Sequence, residues 1–141
     1  MWFDTASDGW VACSGERATL TLGANALVQS SDGGHSWQVV ASSGSDLLDG
    51  PFGAEPTLIQ MFSLTQGFGG GDWGGVQSTS DGGRSWRQIE VPGYIPLDGT
   101  VRAWFADPRN GFAVAYDGGV TTLSTTRNGG ASWRVLRRWR E

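Results

Sequence analysis

Thr79-Ser80-Asp81-Gly82-Gly83-Arg84-Ser85-Trp86 is the middle member of a set of three. Its companions are Ser30-Ser31-Asp32-Gly33-Gly34-His35-Ser36-Trp37 and Thr126-Arg127-Asn128-Gly129-Gly130-Ala131-Ser132-Trp133. The shared pattern is a hydroxyl residue, any residue, Asp or Asn, Gly-Gly, any residue, Ser and Trp. The Trp residues recur 49 and 47 positions apart. A looser motif precedes each copy: Trp2-Phe3 then Gly9-Trp10-Val11-Ala12, Met61-Phe62 then Gly67-Phe68-Gly69, and Trp104-Phe105 then Gly111-Phe112-Ala113-Val114. Ordered copies of two motifs at a fixed period mark one supersecondary unit stacked on itself.

Each unit reads as four short strands. In the third they fall near 101–105, 111–116, 119–126 and 132–138. Asp107-Pro108-Arg109-Asn110-Gly111 turns the first strand into the second, and Asp117-Gly118-Gly119 is the next hairpin signal, because such residues accept positive φ cheaply. In the second unit Gly69-Gly70-Gly71-Asp72 takes the middle-turn role, and the extra length of the first unit is assigned to a hairpin through Glu16 to Asn25. The stretches 42–56 and 92–99 read as connectors, and no segment reads as a helix. Four antiparallel strands per repeat predict an all-β chain, a single domain over 1–141. It is made of three four-stranded blades of a β-propeller, near 1–41, 57–91 and 100–139.

Composition agrees with that class and removes others. The 141 residues include 23 Gly and 5 Pro, a density that long helices do not tolerate. Fourteen acidic residues against ten basic ones, all of them Arg, give a net charge of −4. Nucleic acid is therefore not an expected partner, since phosphate affinity comes mostly from basic side chains. Cys13 alone excludes an intrachain disulfide and a multi-thiolate metal site, and His35 alone excludes a two-His zinc motif. No metal and no cofactor is expected. No run of about 20 apolar residues is present, so no direct membrane insertion by a helix is expected. Met1-Trp2-Phe3-Asp4 has neither a basic nor an apolar leader character, so no signal peptide is expected in this chain.

The repeated box resembles the Asp-box, or BNR repeat, with its Ser/Thr-x-Asp-x-Gly-x-x-Trp pattern. With a Gly-aromatic strand before it and Gly-Gly inside it, the whole chain resembles the BNR-repeat propellers of the photosystem II stability/assembly factor-like group. The third copy departs by carrying Asn128 where the family has Asp. The resemblance implies a non-enzymatic scaffold or assembly factor that docks on a protein complex through loops at the blade ends. Its partner there is a photosynthetic membrane-protein complex or its intermediates, and it implies an extracytoplasmic location. Sialidases share the box, so the alternative is a carbohydrate-active or carbohydrate-binding propeller fragment.

The box residues themselves read as architecture. Asp32, Asp81 and Asn128 are expected to accept hydrogen bonds from backbone N–H groups two residues on. Ser30, Thr79 and Thr126 would add a hydroxyl bond, and Gly34, Gly83 and Gly130 would supply positive φ. Trp37, Trp86 and Trp133 would start the outer strand and pack into the blade. Asn128 carries this argument, because an amide closes a turn but cannot serve as a general acid or base. His35 stands at the variable position of the box and reads as an exposed turn residue, and Cys13 reads as a small core residue.

A sialidase would need an Arg triad, an acid/base Asp and a Tyr paired with Glu. Tyr94, Tyr116, Glu16, Glu55, Glu90 and Glu141 show no such arrangement. Gly67 to Gly75 is followed by neither Lys nor helix, so it reads as hairpin material rather than a phosphate loop. No catalytic residue is assigned. The last strand crowds Arg134, Arg137, Arg138 and Arg140 around Trp139, a candidate docking patch for an acidic protein surface. Alternation would put Trp133, Val135, Arg137 and Trp139 on one of its faces, with Arg134, Leu136, Arg138 and Arg140 on the other. Three blades fall short of the about 4–8 of a closed ring. A protein partner or a homo-oligomer is therefore expected to complete or cap the propeller.

Overall fold

The computed structural model describes residues 1–14, 25–42, 56–71, 74–96 and 98–140. Within them lie three four-stranded antiparallel sheets and no helix. The first contains β1 (Trp2–Phe3), β2 (Gly9–Ser14), β3 (Asn25–Ser30) and β4 (Gln38–Ser42), paired in chain order. The second contains β5 (Pro56–Met61), β6 (Gly67–Gly71), β7 (Gly75–Thr79) and β8 (Arg87–Ile89). The third contains β9 (Thr100–Phe105), β10 (Gly111–Asp117), β11 (Val120–Thr126) and β12 (Arg134–Arg140). Each sheet is an up-and-down meander and the sheets pack in sequence, the blade arrangement of a β-propeller.

Two apolar layers hold the blades together. Trp10, Leu27 and Met61 are buried between the first and second. Phe68, Val76, Ile89 and Val91 meet Val101, Phe105, Ala113 and Ala115 between the second and third. Phe68 and Phe105 stack face to face with ring centroids 3.6 Å apart. Side chains alternate across a strand, so each blade has one face toward the blade before it and one toward the blade after it.

Glycine has two separate uses here. In the Gly118-Gly119 hairpin both residues have positive φ, 52° and 78°, as the tight two-residue turn of a twisted ribbon requires. At the starts of β2, β6 and β10, by contrast, glycine makes room. The side chain of its cross-strand partner folds over it in the pairs Phe3–Gly9, Met61–Gly67 and Phe105–Gly111. A Cβ on Gly111 would lie 2.5 Å from the Phe105 ring, and one on Gly9 would lie 2.5 Å from the Phe3 ring.

Several expectations need correction. Gly69, Gly70 and Gly71 are not a turn but part of β6, and the chain reverses after them. Within the strand Gly70 has no room for a side chain, because a Cβ there would collide with the Gly75 carbonyl. Cys13 is exposed, not core: it lies on the face of β2 opposite Trp10 and Ala12, and among the described residues no blade covers that face. Strict alternation also fails in β12. The register shifts between Leu123 and Ser124, which leaves Leu136 as a bulge. Val135, Arg138 and Arg140 therefore share one face, while Arg134, Arg137 and Trp139 share the other. The first blade shifts register in the same place, at Val40. Asp72, most of the Glu16–Asn25 hairpin and most of the 42–56 connector lie outside the described residues.

Candidate functional site

The three boxes fold into turns that join the third and fourth strands of each blade and share one set of hydrogen bonds. The Ser30 hydroxyl accepts from the Gly34 N–H at 2.8 Å and donates to Asp32 Oδ1 at 2.8 Å. The same pair of bonds recurs from Thr79 to Gly83 and Asp81, and from Thr126 to Gly130 and Asn128. Oδ1 of Asp32, Asp81 and Asn128 accepts from the backbone N–H of Ser36, Ser85 and Ser132, each at 2.9 Å. The reach is thus four residues, not two: the turn is one residue pair wider than an Asx turn and closes on the Ser before the Trp.

The second oxygen separates acid from amide. Ser36 and Ser85 donate their hydroxyls to Oδ2 of Asp32 and Asp81. In the third turn the polarity reverses, and Asn128 Nδ2 donates to Ser132 Oγ at 2.9 Å. Donation from Ser85, first its hydroxyl and then its N–H, with help from Thr79, holds the Asp81 carboxyl down to about 2 from its ordinary 3.8. Asp32 is held well below the usual carboxylate range by the same contacts from Ser36 and then from Ser30. Each carboxyl or amide makes three hydrogen bonds, all within its own turn.

A further bond anchors the turn to the rest of its blade. The first glycine N–H of each box donates to a carbonyl in the turn between the blade's first two strands: Gly33 to Ser7 at 2.9 Å, Gly82 to Thr65 and Gly129 to Arg109 at 2.8 Å. Trp37 and Trp86 donate their indole N–H to Gly34 and Gly83 carbonyls of the same turn. Trp133 makes no such bond: its indole nitrogen is buried, and its ring instead meets Phe105 edge-on at 6.2 Å. All three Trp precede the outer strand rather than begin it, and Trp37 is exposed while Trp86 and Trp133 are half-buried. His35 is exposed, with Nδ1 2.8 Å from the Asp32 carbonyl.

The Arg-rich strand is exposed along its whole length, and the bulge splits its cations. Arg138 and Arg140, with Trp139, Asp117 and Thr122, line a 540 Å³ cleft beside the Gly118 hairpin. Arg137 sits over the Trp139 ring at 5.5 Å, a cation–π distance. A wider cleft of 860 Å³ runs between the second and third blades, lined by Arg87, Pro92, Tyr94, Pro96 and Trp133. Among the described residues no three His, Cys, Asp or Glu gather closely enough to hold a metal ion, and no helix is long and apolar enough to cross a membrane.

The chain is therefore a three-bladed β-propeller segment with its box residues committed to turns. No protein-family model matches it, and neither does any curated protein. A solved structure of YCF48 bound to D1 peptide is similar, with a TM-score of 0.59 and 20% identity over 95% of this chain. The chain spans 37% of the length of that YCF48 chain.

Proposed function

We propose that this chain is a non-enzymatic protein-binding scaffold of the Asp-box kind, an assembly or stability factor whose blade-end loops dock on a protein complex. The observation that supports this reading best is the spending of every box carboxyl and amide on its own turn, which leaves rigid sheets to present variable loops. A protein segment is the ligand class favoured by the similarity to YCF48, which was solved with a D1 peptide. The cleft beside Arg138 and Arg140 offers cations and the Trp139 ring to an acidic or aromatic segment of such a partner.

Titration of a fluorescent D1 peptide, with a scrambled peptide as control, tests the reading. Saturable binding that weakens several-fold in an Arg138→Ala, Arg140→Ala double variant is expected. Equal binding of both peptides, or no binding of either, would count against it. A glycan array and a fluorogenic sialoside provide the opposing arm: turnover or selective glycan capture would replace this reading with the carbohydrate one.

A further inference from the structure

The three blades are built on one set of positions, so contacts made by two of them say what the third is shaped to make. Trp2, Gln60 and Trp104 are equivalent, because each pairs with the second residue of its neighbouring strand: Trp10, Phe68 and Phe112. Trp2 Nε1 donates across the blade boundary to the Met61 carbonyl. Gln60 Nε2 donates to the Phe105 carbonyl at 3.0 Å, and its Oε1 accepts from the Phe105 N–H at 2.9 Å. Met61 and Phe105 are themselves equivalent, as is Phe3. A side chain on the first strand of one blade thus ties itself to the same backbone position of the next.

The row beneath repeats the logic. Trp10 and Phe68 are buried under the following blade, whereas Phe112 is 48% exposed. Leu27 and Val76 are buried, but their equivalent Leu123 is only half-buried. Trp104, Val114 and Tyr116 complete an exposed apolar face on the third blade. At the other end, Phe3 is 40% exposed where Phe105 is 1%. Cys13 is exposed and Val11 half-buried where Ala113 and Ala115 are buried. Glycine shows the same gap. A Cβ on Gly83 would strike Leu27 of the preceding blade and one on Gly130 would strike Ile89, yet one on Gly34 would meet only Trp37 and Phe3 of its own blade.

We infer that the exposed face of the third blade takes the exposed face of the first blade of a second copy, head to tail. Trp104 Nε1 then donates to the Phe3 carbonyl of that copy, and Phe112 covers the Phe3 ring as Phe68 covers Phe105. The occupant is a second copy because the three blades carry both halves of a contact that they already make twice between themselves. Two such contacts close a ring of six blades, inside the usual range of about 4–8. The inference does not rest on the docking reading above.

Sedimentation or light scattering of the 141-residue chain, with circular dichroism as the folding control, tests it through two charge insertions. Val114→Glu blocks the face of the third blade and Val11→Glu that of the first. The parent is expected at twice its 15.0 kDa chain mass, each variant alone at one chain, and an equimolar mixture of the two variants at two chains again. Cys13 is expected to react with a thiol reagent much faster in Val114→Glu than in the parent. Should Val11→Glu fail to fold, Val39→Glu takes its place, since Val39 is 67% exposed. A parent that stays a single chain, a variant that still pairs with itself, assemblies that keep growing with concentration, or an unprotected Cys13 would each overturn the inference.

Discussion

At the residue scale, the difference between Asp81 and Asn128 is a natural experiment on one turn. Both side chains accept from the Ser N–H four residues on, and only the direction of the second bond changes. Asp81→Asn should therefore fold with a thermal midpoint close to the parent's at neutral pH. Asp81→Ala deletes both acceptors and leaves Ser85 N–H without its partner, and a drop of roughly 3–6 °C is expected, the size of a lost cap in a domain this long. The pH dependence has a definite sign. The folded carboxyl of Asp81 sits near 2 against 3.8 unfolded, so its stabilisation is present above about 3.8 and is lost as pH falls toward 2. The parent's midpoint should fall more steeply over that window than that of Asp81→Asn. Superimposable acid profiles would show that the turn does not depend on the carboxylate form.

At the element scale, the strand-opening glycines are there for the ring or thioether that lies over them. Gly111→Ala places a methyl 2.5 Å from the Phe105 ring, in the layer where that ring stacks on Phe68. Overpacking of this kind costs about 1–3 kcal/mol. Gly118→Ala, whose Cβ meets nothing within 4 Å, costs only the strain of positive φ. Urea denaturation of the two variants should rank Gly111→Ala as the more destabilised, and the reverse order would mean backbone conformation outweighs ring packing. The same elements mark what could be read without coordinates. Turn chemistry repeats locally, so Gly-Gly boxes and the Asp117-Gly118-Gly119 hairpin reveal strand number and pairing. Local pattern does not reveal which face of an apolar strand has a neighbour, and so Cys13 reads as core although it is exposed. Nor does alternation anticipate the bulge at Leu136, which is set by the fit of β12 to β11 and moves Arg134 from the face of Arg138 and Arg140 to that of Arg137 and Trp139.

At the scale of the whole molecule, blades cohere through packing plus a polar tie at each boundary, from Trp2 to Met61 and from Gln60 to Phe105, and the second is one that sequence reading passes over. Gln60 lies in an unremarkable Ile-Gln-Met run, and nothing local shows that its amide reaches 45 positions along the chain. It is 4% exposed and satisfies both the N–H and the carbonyl of Phe105, two edge groups of β9 that would otherwise be buried unpaired. Gln60→Leu keeps the volume and removes both bonds, so it isolates the polar term from the apolar one. Each orphaned buried backbone group costs about 1–3 kcal/mol, and a total of roughly 2–5 kcal/mol is expected. Because the tie joins the second blade to the third, the loss should appear as uncoupling as well as weakening. Amide exchange is expected to quicken first in β9 and β10, while β2 and β3 keep their protection. A Gln60→Leu variant that unfolds with the parent's denaturant midpoint, and exchanges uniformly, would mean that the Phe68–Phe105 stack alone couples these blades.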